Sequence, residues 1–166
     1  MADERKLAGA VQELAARLRA RGARLVTAES CTGGWIAKAC TDLAGSSQWF
    51  ECGYVTYSNA AKTRDLGVAA EILAQHGAVS GAVVDAMLAG ALSRSGAAVG
   101  IAVSGVAGPD GGSADKPVGT VWFAVGGAGD IVASHEQLPG DREAIRRRTV
   151  ELGVRKLVEW LDQHRR

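Results

Sequence analysis

The stretch ARLVTAESCTGGWIAKACTDLA, residues 23–44, decides the fold class of this chain. Residues 23–29 form a short run with β-branched side chains directly after Gly22, which predicts a buried strand. Residues 35–44 predict a helix, and the glycine pair before it marks a tight connection from strand to helix. A strand that leads through a glycine turn into a helix is the repeating unit of α/β proteins.

The same alternation continues in both directions from this stretch. Apolar residues at helical spacing between Leu7 and Leu18 predict a first helix that ends near Gly22, and Ser80 and Asp141 open two later helices. We therefore expect an α/β fold, a single three-layer α/β/α domain over residues 5–162, with a mixed sheet covered by helices on both faces. The remaining strands are predicted at 50–58, 97–105, 118–126 and 130–137, and two short helices at 59–68 and 69–77.

Composition excludes several function classes. The chain has 166 residues, with Lys+Arg 19 against Asp+Glu 18, a balance that argues against a nucleic-acid or membrane partner. The three cysteines contain no CxxC pair, so we expect neither a disulfide framework nor a metal site. The charged N-terminus and the lack of a long apolar run favour a cytoplasmic protein.

The first candidate for chemistry is Ser30, at the end of the predicted strand 23–29. A helix start after a glycine turn exposes free backbone N–H groups, which can stabilise an oxyanion beside a serine nucleophile. Ser30 or Thr32 can equally serve as the helix cap. Cys31 is a second possible nucleophile, but no histidine lies near it in the sequence.

Lys62 follows the second predicted strand, five residues after Tyr57. A neutral lysine is the usual base for a serine nucleophile that has no histidine, provided that its pKa is depressed. A solvated side chain early in a helix is the competing interpretation of a lone lysine.

A glycine-rich loop and an arginine complete the candidates. The loop begins at Ser104 and Gly105, after an apolar strand, where open α/β sheets bind ligands. Arg142 lies at a helix start, where a cation meets the positive end of the helix dipole unfavourably. A bound anion such as phosphate would remove this conflict. The Arg146–Arg148 run is expected on a solvated face. Trp49 is the tryptophan with the best prospect of stacking on an aromatic ligand.

These residues lie in motifs that resemble the CinA C-terminal domain family, and within it the stand-alone nicotinamide-nucleotide amidohydrolases. The resemblance covers about residues 5–160 and does not include the larger N-terminal domain of full-length CinA proteins. Five segments carry it: TAESCTGG (27–34), AGSSQWFECGYVTYSNAAK (44–62), HGAVS (76–80), SGVAGPDGGSADKPVGTVWFA (104–124) and GDR (140–142).

The resemblance implies hydrolysis of the carboxamide of nicotinamide mononucleotide to nicotinic acid mononucleotide and ammonia, with no cofactor and no metal. It makes Ser30 the nucleophile, Lys62 the lysine of a Ser–Lys pair and Tyr57 the accompanying tyrosine. Either Lys62 or Tyr57 could be the immediate base.

Substrate contacts follow from the geometry of this substrate, whose carboxamide and phosphate lie at opposite ends. We expect the amides of Cys31, Thr32 and Gly33, at the start of the predicted helix, to hold the oxyanion. Ser47 and Ser104 are expected to bind ribose or carboxamide. The phosphate is assigned to Arg142 and the loop 105–112, because phosphate on the turn 32–34 would put Ser30 out of reach of the amide.

Two other functions compete with catalysis. The fold could bind a pyridine nucleotide without turnover, as a regulatory module, or belong to an interaction protein tied to DNA uptake. Balanced charge argues against direct DNA contact. A homo-oligomer is expected, with Trp35, Trp49 or Trp160 as exposed interface residues.

Overall fold

The computed structural model describes residues 1–165 and has a five-stranded sheet at its centre, in the order β2-β1-β3-β4-β5. The strands are β1 Leu25–Glu29, β2 Phe50–Val55, β3 Val99–Gly105, β4 Thr120–Gly127 and β5 Asp130–Gln137. The helices are α1 Ala2–Arg21, α2 Trp35–Thr41, α3 Asn59–Leu66, α4 Ala70–His76, α5 Gly81–Ser95 and α6 Arg142–Gln163, with a 3₁₀ turn at Ser46–Gln48.

The sheet is mixed, as the sequence predicts. β1 pairs in parallel with both β2 and β3, whereas β3 with β4 and β4 with β5 pair antiparallel. The predicted α/β fold, one domain with helices on both faces of a mixed sheet, is confirmed.

Each face of the sheet has its own apolar core. Helices α1, α2 and α6 cover one face, where Leu14, Ile36 and Leu157 belong to one buried cluster with side chains of β3 and β4. Helices α3, α4 and α5 cover the other face around Leu66 and Met87.

Among the described residues, no helix combines the length and the apolar character that crossing a bilayer requires.

Strand order creates a crevice at the carboxyl end of β1. The chain leaves β1 through α2 on one face and forms β2 on one side, then returns through α3–α5 on the other face to form β3 on the other side. Ligands of open α/β sheets bind at such a reversal of strand order. Glu29, the last residue of β1, pairs with Val55 on one side and Val103 on the other. The next residue of each strand therefore lies at the same edge, which places Ser30 between Thr56 and Ser104.

The expected role of Trp49 is wrong. Its side chain is fully buried and lies edge-on to Phe50, so it is not available to stack on a ligand or to form an interface. Trp35 and Trp160 are half-buried, the first beneath the guanidinium of Arg146 and the second stacked on His164. These surroundings provide no exposed tryptophan for an oligomer interface.

Candidate active site

Ser30 begins a tight loop between β1 and α2. Its backbone N–H donates to the carbonyl oxygen of Val103 at 3.1 Å, which extends the pairing of β1 with β3 by one residue. The loop then turns through Gly33 and Gly34, whose φ angles of 60° and 97° lie in the left-handed region that favours glycine. The Ser30 side chain is thereby held at the crevice, 8% exposed.

Lys62 reaches Ser30 from the neighbouring helix α3. The hydroxyl of Ser58 caps this helix by accepting the N–H of Ala61 at 3.0 Å, which sets Lys62 in the first turns. The Lys62 Nζ donates to Ser30 Oγ at 2.9 Å and to the carbonyl oxygens of Thr56 at 2.8 Å and Tyr57 at 3.1 Å. The structure thus joins the two residues that the sequence suggests as nucleophile and base.

Burial changes the acidity of this amine. Lys62 is fully enclosed, and desolvation lowers its pKa to about 8. In the neutral amine, the two N–H groups can stay on the carbonyls of Thr56 and Tyr57, which directs the lone pair at Ser30 Oγ. This geometry allows the neutral amine to accept the proton of Ser30.

Activity should therefore depend on pH through Lys62. Only the neutral amine accepts the proton of Ser30, so we expect kcat/KM to rise about tenfold per unit below pH 8 and to level off above it. Burial raises the pKa of the Cys31 thiol to about 11, well above the midpoint expected for Lys62. The family resemblance implies ammonia as a product, so a profile of ammonia release between pH 6 and 10 checks this expectation. A flat profile would contradict the role of base that the resemblance implies for Lys62.

Glu29 is a buried carboxylate that sequence reasoning missed. Its Oε1 accepts the hydroxyl of Thr32 and the N–H of Ile36, both at 2.7 Å, and its Oε2 accepts the N–H of Ala37 at 3.0 Å. Glu29 thus caps α2 from the preceding strand, and its bond to Thr32 fixes the loop that follows Ser30. A lone acid at the end of an otherwise apolar strand was the available signal.

The start of α2 offers fewer free N–H groups for an oxyanion than the sequence predicts, because protein groups already bind several of them. The amides of Ile36 and Ala37 already bind Glu29, and Gly33 N–H donates to the carbonyl of Ser30 at 3.0 Å. Within residues 1–165, the backbone N–H groups of Cys31 and Thr32 have no hydrogen-bond acceptor. Of the three amides expected there, Cys31 and Thr32 are therefore free and Gly33 is not.

The thiol of Cys31 is not activated for nucleophilic attack. The raised pKa of its buried side chain keeps the sulfur protonated at neutral pH, so it is a poor nucleophile. In the described part of the chain, no group of His, Cys, Asp or Glu side chains has the arrangement of a metal site.

Tyr57 and Arg142 meet at the outer rim of the crevice. Arg142 Nη2 lies 3.3 Å from the Tyr57 hydroxyl, and Nη1 donates to the carbonyl oxygen of Gly108 at 2.7 Å. Tyr57 is 60% exposed, and it contacts Lys62 through its backbone carbonyl only. Arg142 thus connects the start of α6, the glycine-rich loop and the Tyr57 side chain.

The serines of the prediction fall at opposite ends of the sheet. Ser104 lies beside Ser30 on β3, buried at the carboxyl edge, and Gly105 ends that strand. Ser47 lies in the 3₁₀ turn before β2, at the amino end of the parallel strands, a full strand length of about 17 Å from Ser30. The structure does not bring Ser47 to the Ser30 site of the same chain.

Thr56 lies next to Ser30 on the other side and was also missed. Its side chain is 1% exposed, and its hydroxyl has no hydrogen-bond partner among residues 1–165. A buried hydroxyl without a partner is uncommon, which marks the crevice as a place for a ligand or water.

Arg146 does not lie on a solvated face, contrary to expectation. Its guanidinium packs over the Trp35 ring, with 5.3 Å between Cζ and the ring centroid. Nε donates to the carbonyl oxygen of Cys31 and Nη2 to that of Thr32, both at 3.1 Å. Arg146 therefore holds the Ser30 loop from α6.

A buried serine–lysine pair beside two free amides, at the carboxyl edge of an α/β sheet, has the parts that an acyl-transfer enzyme needs. The CinA C-terminal domain family matches residues 7–161. The chain belongs to this family.

Relatives of similar length carry a specific name. Nicotinamide-nucleotide amidohydrolase PncC of Escherichia coli (strain K12) is 54% identical over 154 residues, which are 92% of this chain and 93% of that protein. PncC of Pseudomonas putida is 59% identical over 146 residues, 88% of this chain and 91% of that protein. This identity over nearly the whole length of both chains supports an amidohydrolase.

A solved structure agrees with the fold. The competence damage-inducible protein A (ComA) from Klebsiella pneumoniae subsp. pneumoniae MGH 78578 superposes with a TM-score of 0.93 at 42% identity. The match covers 96% of this chain and 99% of that structure, so the domain described above is the whole of the solved one.

Proposed function

We propose that this chain deamidates nicotinamide mononucleotide to nicotinic acid mononucleotide and ammonia, with Ser30 as nucleophile and Lys62 as base. The observation that carries the proposal is the 2.9 Å contact between Lys62 Nζ and Ser30 Oγ, together with the burial that lowers the pKa of the lysine to about 8. The names of the relatives supply the substrate class.

The first half of the reaction forms an ester. Neutral Lys62 takes the proton of Ser30 as Oγ attacks the carboxamide carbon, and the N–H groups of Cys31 and Thr32 stabilise the oxyanion. Protonated Lys62 then gives this proton to the departing nitrogen, the C–N bond breaks, and ammonia leaves. The nicotinoyl group remains as an ester on Ser30.

The second half regenerates the enzyme. Lys62, neutral again, accepts a proton from a water molecule that attacks the ester carbonyl. The tetrahedral intermediate collapses, Lys62 returns the proton to Ser30 Oγ, and the carboxylic acid is released. The consequence for metabolism would be recovery of a deamidated pyridine nucleotide in salvage.

Lys62 is our choice for the immediate base, and Tyr57 for a substrate contact. The Tyr57 hydroxyl faces Arg142 at the exposed rim, and only the backbone carbonyl of Tyr57 touches the lysine. A ring at this position can lie along the nucleotide between the reacting carbonyl and the phosphate.

Arg142 is proposed to bind the phosphate, together with the loop 105–112. We expect Arg142→Met to raise KM for nicotinamide mononucleotide about 10- to 100-fold, since a hydrogen bond between charged groups contributes about 1.5–3 kcal/mol. Nicotinamide riboside lacks the phosphate, so its turnover should not change.

The matched control is Arg148→Met, an exposed arginine of the same helix. Equal effects of Arg142→Met on the nucleotide and the riboside would contradict the phosphate assignment.

Ammonia release from nicotinamide mononucleotide by the purified chain tests the proposal as a whole. Stoichiometric formation of ammonia and nicotinic acid mononucleotide is expected. Binding of the nucleotide without ammonia release would replace the enzyme with a binding module.

A further inference from the structure

The side chain of Arg146 donates hydrogen bonds to the carbonyl oxygens of two successive peptide groups in the loop that follows Ser30. Its Nε donates to the carbonyl of Cys31 and its Nη2 to the carbonyl of Thr32, each at 3.1 Å. The guanidinium is itself fixed from below by the Trp35 ring. Neither the sequence motifs nor the proposed mechanism gives this residue a role.

Peptide geometry turns these two contacts into an orientation. In a trans peptide the C=O and the following N–H point in opposite directions. Holding the Cys31 carbonyl towards α6 therefore turns the Thr32 N–H away from α6. The next peptide shows the same relation, since Thr32 O binds Arg146 while Gly33 N–H donates to Ser30 O.

The contact also changes the strength of the donor. A cation hydrogen-bonded to a carbonyl oxygen polarises the peptide and makes its N–H a stronger donor at the other end. The Thr32 N–H has no acceptor among residues 1–165, so no group of the described protein uses this polarisation.

We propose that Arg146 is the positioning residue of the oxyanion site, aiming and polarising the Thr32 N–H without touching the substrate. The inference rests on the proposed amidohydrolysis at Ser30. Its consequence is selective, because an oxyanion donor acts on the transition state and hardly on the bound amide.

Steady-state kinetics with nicotinamide mononucleotide test this role. Arg146→Met should lower kcat about 10- to 100-fold, less than the loss of a whole oxyanion donor, while KM stays within about twofold. The pH midpoint near 8 set by Lys62 should not move. Arg146→Lys keeps the charge but can hold only one carbonyl at a time. Its kcat should therefore lie between those of Arg146→Met and wild type.

Arg147→Met is the matched control. Arg147 also lies over Trp35, at 5.9 Å, but its guanidinium pairs with Glu143 and makes no bond to the loop. Its kcat should stay within about twofold of wild type. Guanidinium ion at millimolar concentration should restore part of the kcat of Arg146→Ala and leave Arg147→Ala unchanged.

The possible outcomes are distinct. A folded Arg146→Met protein with wild-type kcat would overturn the inference, as would equal losses in Arg146→Met and Arg147→Met. If Arg146→Met does not fold, two other results test the inference. Wild-type kcat in Arg146→Lys, or no rescue of Arg146→Ala by guanidinium ion, would overturn it. Wild type that releases no ammonia removes the proposed function and this inference together, whereas activity lost in Ser30→Ala but kept in Arg146→Met removes the inference alone.

Discussion

Ser30→Ala should lower the rate of ammonia release from nicotinamide mononucleotide by at least about a thousandfold. Without Oγ no ester can form, and the crevice keeps only the free N–H groups of Cys31 and Thr32 to favour attack by water. Substrate affinity should change little, because the substitution removes the reacting atom and leaves Arg142, the proposed phosphate contact, in place. The measurement is single-turnover ammonia release with equilibrium binding on the same protein.

Ser80→Ala is the control for this change. Ser80 is as buried as Ser30, at 7% and 8% exposure, but its hydroxyl caps α5 by accepting the N–H of Val83. The control should lose about 1 kcal/mol of unfolding free energy and keep its kcat. Activity that survives in Ser30→Ala would contradict the covalent mechanism.

Lys62→Met has the second-largest expected effect, a loss of kcat of about a thousandfold. Methionine fills a similar volume, but it can neither accept the proton of Ser30 nor donate to the carbonyls of Thr56 and Tyr57. The remaining activity should also lose the rise in rate through pH 8 that the lysine imposes. A pH profile of the variant therefore separates loss of the base from a general loss of structure.

Lys38→Met serves as the control, since Lys38 is an exposed lysine of α2 that pairs with Asp42. It should retain wild-type kcat and the midpoint near pH 8. A Lys62→Met protein that keeps both the rate and the midpoint would show that another group removes the proton.

The fold was accessible from the sequence because its signals are local. The apolar run before the glycine pair at Gly33 and Gly34 indicates both a buried strand and a helix start, and the hairpin at 118–137 indicates antiparallel pairing. The structure confirms these elements. Ser30 and Lys62 could be suggested for the same reason, since both follow strands that end at one edge of the sheet.

The rest of the site depends on distant contacts. No spacing rule shows that Glu29 occupies the start of α2, or that Arg146 reaches back to a loop more than a hundred residues earlier in the chain. The sequence also does not show that the loop before β2, with Ser47 and Trp49, lies at the end of the parallel strands away from Ser30. Trp49 instead fills the core at the end away from Ser30.

The position of α6 has a consequence for synthesis. A nascent chain that has reached residue 140 already carries Ser30 and Lys62, yet it lacks the arginines at 142 and 146 and the helix that closes the core beside α1 and α2. The proposed nucleophile would then lie in a loop that α6 does not yet hold. We therefore expect the proposed activity only after α6 has been synthesised and has packed against α1 and α2.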